Sequence, residues 1–125
     1  MGWEGLNRRK FPRAKFPCLI KILRSDGQDA ILTHTENISI GGVCVIIKRQ
    51  LDIFTTVGIE IDLMDGEELI SCASKVVWIV RRKATEEVKP SHYDIGIEFV
   101  DLKPSDRARI EKTVDHLVKA GREVR

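Results

Sequence analysis

The hydrophobic residues of this chain fall into short runs whose spacing is typical of β-strands. In residues 57–63 every second side chain is apolar, which predicts a strand with one buried face. Residues 43–47 are continuously apolar, which predicts a fully buried strand. Turn residues separate six such segments, and this pattern predicts an antiparallel β-barrel or sandwich. The predicted strands span residues 18–23, 30–35, 43–47, 57–63, 68–82 and 92–99.

The period of the pattern changes to that of a helix after Pro104. Apolar residues then recur at i, i+4, i+7 and i+8, on one helical face: Ile110, Val114, Leu117 and Val118. Ser105 is the predicted N-cap, and Gly121 is predicted to end the helix. The fold class is therefore mainly β, a six-stranded antiparallel β-barrel or sandwich (residues 15–103) with a C-terminal α-helix (residues 104–121). The apolar face of this helix needs an apolar surface to cover, which an open barrel mouth would supply.

The composition indicates one globular domain. Hydrophobic residues make up 42% and charged residues 32% of the 125 residues, a balance that disordered chains do not have. No apolar run reaches the roughly 18 residues that a membrane-spanning helix needs. The first residues also lack the apolar core of a signal peptide. We therefore expect a cytoplasmic protein with no membrane span.

Several kinds of chemistry are not expected from the sequence. The cysteines lack a C-x-x-C pair and the histidines lack ligand spacing, so neither a disulfide framework nor a metal site is predicted. No nucleophile–base set, P-loop or G-x-G-x-x-G motif is evident. The sequence therefore predicts a protein that is not an enzyme. The residues concerned are Cys18, Cys44, Cys72, His34, His92 and His116.

Positive charge is concentrated at the N-terminus. Residues 1–25 contain seven Lys and Arg side chains and one acid, a net charge of +6. The other hundred residues contain 14 Lys and Arg and 18 acids, a net charge of −4. We expect residues 1–14 to form a flexible basic arm, and this asymmetry favours an anionic partner. A solvated tail without a partner is the alternative.

The arm carries two arginines in an R-x-x-x-R arrangement, Arg9 and Arg13, with Pro12 stiffening the segment between them. The planar guanidinium group donates paired hydrogen bonds to phosphate and to the O6/N7 edge of guanine, and it stacks on aromatic bases. Two such groups four residues apart can grip one compact nucleotide. Arg8 and Lys10 add positive charge beside them.

A second motif, Asn37-x-Ser39-x-x-Gly42, lies between two predicted strands. The Asn37 amide both donates and accepts hydrogen bonds, and Ser39 offers a hydroxyl. Gly41 and Gly42 permit positive φ angles and a close approach of a ligand to the backbone. The alternative is an ordinary turn in which Asn37 and Ser39 bond to their own backbone.

Together, the two motifs resemble the signature of the PilZ domain family, R-x-x-x-R followed by [D/N]-x-S-x-x-G. Residues 93–99 also resemble the closing G-x-x-F strand of that family, with Gly96 and Phe99 at its two fixed positions. The resemblance extends over residues 7–121. It implies a PilZ-type barrel that acts as a receptor for the bacterial second messenger cyclic di-GMP, with no metal or other cofactor.

The resemblance also implies a role for each motif residue. Arg9 and Arg13 would contact the phosphates and guanines of the ligand, with added charge from Arg8. Asn37 and Ser39 would bond to a guanine edge, and Gly42 would shape the turn beneath it. Many family members have Asp where this chain has Asn37, and a neutral amide accepts through one oxygen only.

Trp78 completes the set of candidate ligand-binding residues. It alternates with the apolar residues Val77 and Ile79, so its indole would lie on the opposite strand face. There it can stack on a guanine, which contributes ~1–3 kcal/mol in comparable base–aromatic contacts. The alternative is a core or helix-packing residue, because Trp is highly buried on average.

The expected mechanism is that cyclic di-GMP neutralises the arm and orders it over the barrel rim. The signal would then pass to an unidentified downstream protein or to a changed oligomer. Two other functions stay open: a PilZ-like adaptor that binds only protein, and a small barrel that binds nucleic acid. The second is disfavoured because aromatic residues are only 6% of the chain and the body is acidic.

Overall fold

The computed structural model describes residues 12–24, 29–49, 51–81 and 92–124. These residues form seven strands and one helix, and all of these elements except the first strand lie at segments whose pattern predicts their type. The strands are β1 (Ala14–Lys15), β2 (Leu19–Arg24), β3 (Ile31–Ile38), β4 (Gly42–Ile47), β5 (Thr56–Ile61), β6 (Ile70–Arg81) and β7 (Tyr93–Phe99), and the helix is α1 (Pro104–Lys119).

The sheet closes on itself. Its order is β1-β3-β2-β5-β6-β7-β4, and an additional pairing of β4 with β3 closes the ring, with β1 outside it. Strands β2 to β7 therefore form a closed six-stranded antiparallel barrel, as the sequence predicts. Closure also removes the exposed edges that an open sheet would present to other chains.

Strand β1 is an addition to the six predicted strands. Ala14 pairs with Ile38 and Lys15 with Asn37 on β3. Strand β2 pairs with the same edge of β3 further along. Pro17 follows. Because proline has no backbone N–H to donate, the strand pairing is interrupted before β2 begins. The structure thus places Ala14, which is fully buried, in a strand rather than in the predicted arm of residues 1–14.

The barrel interior is filled by branched aliphatic side chains that project inward from every second strand position. Removing each from water stabilises the fold by about 1.5–3 kcal/mol. Helix α1 packs its apolar face on this core through Ile110, Val114 and Leu117, as predicted. The fully buried barrel residues include Ile20, Ile22, Ile38, Val45, Ile59, Ile61, Ile70, Val76, Ile95 and Ile97.

The two ends of α1 differ from the prediction in one respect. Ser105 is not the N-cap: Lys103 occupies that position without a side-chain bond, and Pro104 begins the helix. Proline suits the first helical position because its φ angle is already helical and its missing N–H is not needed there. The predicted end is confirmed, since Ala120 caps the helix and Gly121 follows with a φ of 85°.

An ion pair fastens α1 to the turn between β5 and β6. The guanidinium of Arg109 donates to both carboxylate oxygens of Asp65, at 2.8 and 2.9 Å, and to the backbone oxygen of Glu68 at 2.9 Å. These bonds hold the pKa of Asp65 below its ordinary value. The helix is therefore attached to the barrel by polar contacts as well as by its apolar face.

Candidate functional site

The strand register places Asn37 and Trp78 in one transverse row on the outer wall of the barrel. Asn37 on β3 pairs with Cys44 on β4, Cys44 with Gly96 on β7, and Gly96 with Trp78 on β6. Directly paired residues of antiparallel strands project from the same face of a sheet. Three strand spacings separate the ends of the row, roughly 14 Å.

A β-bulge turns each end of this row outward. On β3, Thr35 and Ile38 are both buried against the interior although they are three residues apart, and the register shifts between Thr35 and Asn37. Without the extra residue, Asn37 would share the inward face of Thr35. Bulges re-aim side chains in this way next to binding sites.

The bulge on β6 acts in the same way on Trp78. The register shifts between Val76 and Trp78, while Val76 and Ile79 both pair with core residues of β7. Trp78 therefore lies on the outer face, opposite Ile79, and Val77 is the inserted residue. The predicted outward direction of the indole agrees with this geometry.

The Trp78 indole lies close to the backbone of β7 at Gly96. A Cβ atom added at Gly96 would lie 2.1 Å from the indole Nε1 and 2.2 Å from Cε2. Only glycine leaves room for the ring there. The indole is half-buried, and its Nε1–H is buried with no hydrogen-bond acceptor among the described residues. The ring thus forms a fixed aromatic surface beside Cys44.

Arg13 and Asn37 are in direct contact. The guanidinium of Arg13 donates to Asn37 Oδ1 from Nε at 3.2 Å and from Nη2 at 2.7 Å. Arg13 is only 5% exposed, and its backbone oxygen accepts a bond from the N–H of Val124 at 2.8 Å. The second arginine of R-x-x-x-R and the first residue of N-x-S-x-x-G therefore belong to one polar cluster.

Ser39 shapes the turn between β3 and β4. Its N–H donates to Gly42 O at 2.9 Å, and its hydroxyl oxygen accepts the N–H of Gly41 at 3.1 Å. The side chain is buried, with its hydroxyl 3.4 Å from Gly42 O. The hydrogen bonds of Ser39 are thus those of the alternative interpretation, a turn bonded to its own backbone.

Gly42 is required for a reason that differs from the expected one. Neither Gly41 nor Gly42 has a positive φ angle. A Cβ atom at Gly42 would instead lie 2.1 Å from the backbone oxygen of Ile97. Gly42 thus allows β4 to approach β7 closely where the motif ends, and the turn sits directly against the closing strand.

The remaining candidate residues lie outside the described part of the chain or show no clustering. Arg8, Arg9 and Lys10 are not among the described residues. Within the described ranges, no three His, Cys, Asp or Glu side chains are grouped as metal ligands would be. None of the helices there is long and apolar enough to span a membrane. The thiols of Cys18 and Cys72 have pKa values raised by burial, which disfavours the reactive thiolate.

A closed six-stranded antiparallel barrel with one C-terminal helix defines the class of small β-barrel domains. The chain belongs to the PilZ domain family, whose profile matches residues 7–116. Arg9, Arg13, Asn37, Ser39 and Gly42 all lie within the matched region. No curated protein matches the chain by sequence.

Solved structures share the fold at low sequence identity. Bacillus subtilis MotI/DgrA, an inhibitor of motility, superposes with a TM-score of 0.76 at 17% identity, over 90% of this chain and 52% of that one. The Escherichia coli YcgR PilZ domain with c-di-GMP superposes with a TM-score of 0.71 at 14% identity, over 91% of this chain and 94% of that one. The K. pneumonia MrkH–c-di-GMP complex superposes with a TM-score of 0.71 at 21% identity, over 91% of this chain and 53% of that one. The chain spans about half the length of the MotI and MrkH chains.

Proposed function

We propose that this PilZ domain is a receptor for cyclic di-GMP and that it acts by binding rather than by catalysis. The observation that carries the proposal is the contact between Arg13 and Asn37, which joins the two family motifs in one cluster on the outer wall. The YcgR and MrkH structures contain c-di-GMP, which supports the same ligand for this chain.

The proposed site has a charged part and an aromatic part. Arg8 and Arg9 supply charge-assisted hydrogen bonds to the ligand phosphates from the arm, at about 1.5–3 kcal/mol each. Asn37 contacts a guanine, with Arg13 held against it. Trp78 presents its indole in the same transverse row, where a second base can stack on it. Ser39 and Gly42 fix the turn that carries Asn37.

The arm is linked to the C-terminus of the chain. Arg13 accepts a backbone bond from Val124, and the N–H of Lys15 donates to the oxygen of Arg122 at 2.8 Å. A ligand that draws the arm onto the outer wall therefore acts on the segment directly after α1. We propose that this altered surface is what a downstream protein recognises in the bacterial cytoplasm.

Isothermal titration with cyclic di-GMP, with GTP as the control ligand, tests the proposal. We expect saturable binding at micromolar affinity or tighter, absent for GTP. A stoichiometry near two per chain would indicate an intercalated ligand dimer, and near one a single dinucleotide. If the titration gives no heat of binding and the NMR shifts of the arm do not change, the proposal is contradicted. An adaptor that binds only protein is then favoured.

The arginines are tested by Arg9→Ala and Arg13→Ala. Arg9→Ala removes charge-assisted bonds to the ligand worth about 1.5–3 kcal/mol, and Arg13→Ala removes the guanidinium that holds Asn37, so affinity should fall at least tenfold in each variant. Arg49→Ala is the matched control, because Arg49 is an exposed arginine beyond the far end of β4. Full affinity in either arm variant would refute the site assignment.

A further inference from the structure

We propose, building on the cyclic di-GMP assignment above, that Asn37 recognises guanine by donating from its amide nitrogen to the O6/N7 edge. Arg13 is then the positioning residue that fixes the amide in this orientation. This differs from the role implied by the family resemblance alone, in which residue 37 accepts bonds from a guanine edge.

The orientation of the Asn37 amide follows from the chemistry of its partner. A guanidinium group has only donors, so the amide atom that faces it must be the oxygen. Two donors of Arg13, Nε and Nη2, converge on Oδ1 at 3.2 and 2.7 Å. A carbonyl oxygen has two lone pairs. Oδ1 is therefore fully used, and it accepts bonds from guanine N1 and N2 only if Arg13 leaves.

The amide nitrogen is directed toward the rest of the site. At Asn37, β3 lies between β1, which pairs through Lys15, and β4, which pairs through Cys44. Arg13 directly precedes β1, so it approaches the amide from the β1 side. Nδ2 then faces the β4 side, toward Cys44 and Trp78. No described residue accepts a hydrogen bond from Nδ2, so its two N–H groups are available to a ligand in the half-exposed site.

A donor at this position selects among nucleobases. The O6/N7 edge of guanine carries two acceptors, whereas the matching edge of adenine carries one acceptor and an amino donor. Asn37 Nδ2 thus favours guanine over adenine dinucleotides without any movement of Arg13. An Asp at position 37 lacks a donor, so the same cluster would have to recognise the N1/N2 edge instead.

Titrations with modified dinucleotides test this proposal. Cyclic di-IMP lacks the N2 amino groups, and the 7-deazaguanine analogue of cyclic di-GMP lacks the N7 acceptors. We expect the wild-type protein to bind cyclic di-IMP within about threefold of cyclic di-GMP and the 7-deaza analogue at least about tenfold more weakly, the loss of one good hydrogen bond. Asn37→Asp should reverse these two sensitivities.

Arg13→Lys tests the positioning role separately. A lysine has no fork to fix the amide, so the preference between the two analogues should shrink toward equality even where overall affinity also falls. Arg49→Ala serves as the control and should keep the wild-type preference. Thermal melting checks that each variant folds. The comparison of the two analogues on the wild-type protein tests the orientation of the Asn37 amide without any variant.

The outcomes separate this proposal from the assignment on which it rests. Wild-type protein that binds cyclic di-GMP, tolerates the 7-deaza analogue and loses cyclic di-IMP tenfold would overturn the Asn37 orientation and leave the receptor function intact. An unchanged analogue preference in Arg13→Lys would overturn the positioning role. Folded wild-type protein that does not bind cyclic di-GMP would overturn both.

Discussion

On the outer wall, two glycines leave room for neighbouring groups because they have no side chain. Gly96 has no side chain, so the Trp78 indole lies on the β7 backbone, and Gly42 has none, so β4 approaches Ile97 closely. These two glycines act through steric room in a strand, not through the positive φ angles that glycine also permits. At this scale the motif glycine is explained by close backbone packing.

The contact between Trp78 and Gly96 predicts the effect of Gly96→Ala. The new methyl group would lie within 2.1 Å of the indole nitrogen, so the ring must leave its place. In a Trp3→Phe background, where only Trp78 emits, we expect fluorescence to shift to longer wavelength. Under the proposed function, cyclic di-GMP affinity should fall about tenfold with the loss of a stacking surface.

Gly58→Ala is the matched control for this substitution. A Cβ atom at Gly58, also in a strand, would meet Leu23 at an ordinary 3.5 Å, so neither emission nor affinity should change. Unaltered emission in Gly96→Ala would show that the ring does not lie where the structure places it.

At the scale of elements, α1 is held by two different kinds of contact. Its apolar face packs into the core, and Arg109 forms an ion pair with Asp65 in the β5–β6 turn. Asp106 in the first turn also contacts Arg109 at 3.3 Å, which orients the guanidinium. The charge pattern of the sequence does not reveal this pair, because Asp65 and Arg109 are 44 positions apart.

The Asp65–Arg109 pair predicts a pH-dependent contribution to stability. The folded pKa of Asp65 is lowered mainly by the hydrogen bonds from Arg109, so the pair stabilises the fold above the ordinary carboxyl value of about 4. That contribution is lost as pH falls through the lower folded pKa. Asp65→Asn should reduce the free energy of unfolding by about 1 kcal/mol at pH 7.

Urea denaturation at pH 7 and near pH 2 measures this difference. The gap between Asp65→Asn and wild type should narrow toward the acid end, because the contribution of the pair is lost as the Asp65 carboxyl becomes protonated. Asp115→Asn is the control, since its partner Lys119 is on the solvent side of the helix and both side chains are largely exposed. Equal losses for the two variants at pH 7 would contradict the assigned role.

At the scale of the whole molecule, residues 122–124 after α1 lie against residues 13–15, beside the candidate site. The tail after α1 pairs with the segment around β1, which in turn pairs with β3 next to Asn37. The helix, the tail, β1 and the N-x-S-x-x-G motif thus form a continuous series of contacts. This arrangement gives the outer wall at Asn37 a physical path to the C-terminal helix.

The single shared core predicts that removing one helix side chain destabilises the whole domain. Ile110 of α1 is fully buried among barrel residues. Ile110→Ala should lower the free energy of unfolding by about 2–5 kcal/mol, with one cooperative transition. Glu111→Ala, on the exposed face, should change it by no more than about 0.5 kcal/mol. A separate early transition of the helix in Ile110→Ala would show that α1 is not part of one core.

The sequence by itself determines the strand and helix segments and the fold class, because hydrophobic periodicity reports which faces are buried. It also identifies the motif residues Asn37, Ser39 and Gly42, but it leaves Trp78 open between an outward position and the core. Only the tertiary structure decides that Arg13 contacts Asn37, that β1 exists, and that two bulges bring Asn37 and Trp78 into one row. Those features depend on the register of partner strands distant in sequence, and local composition carries no signal for a register.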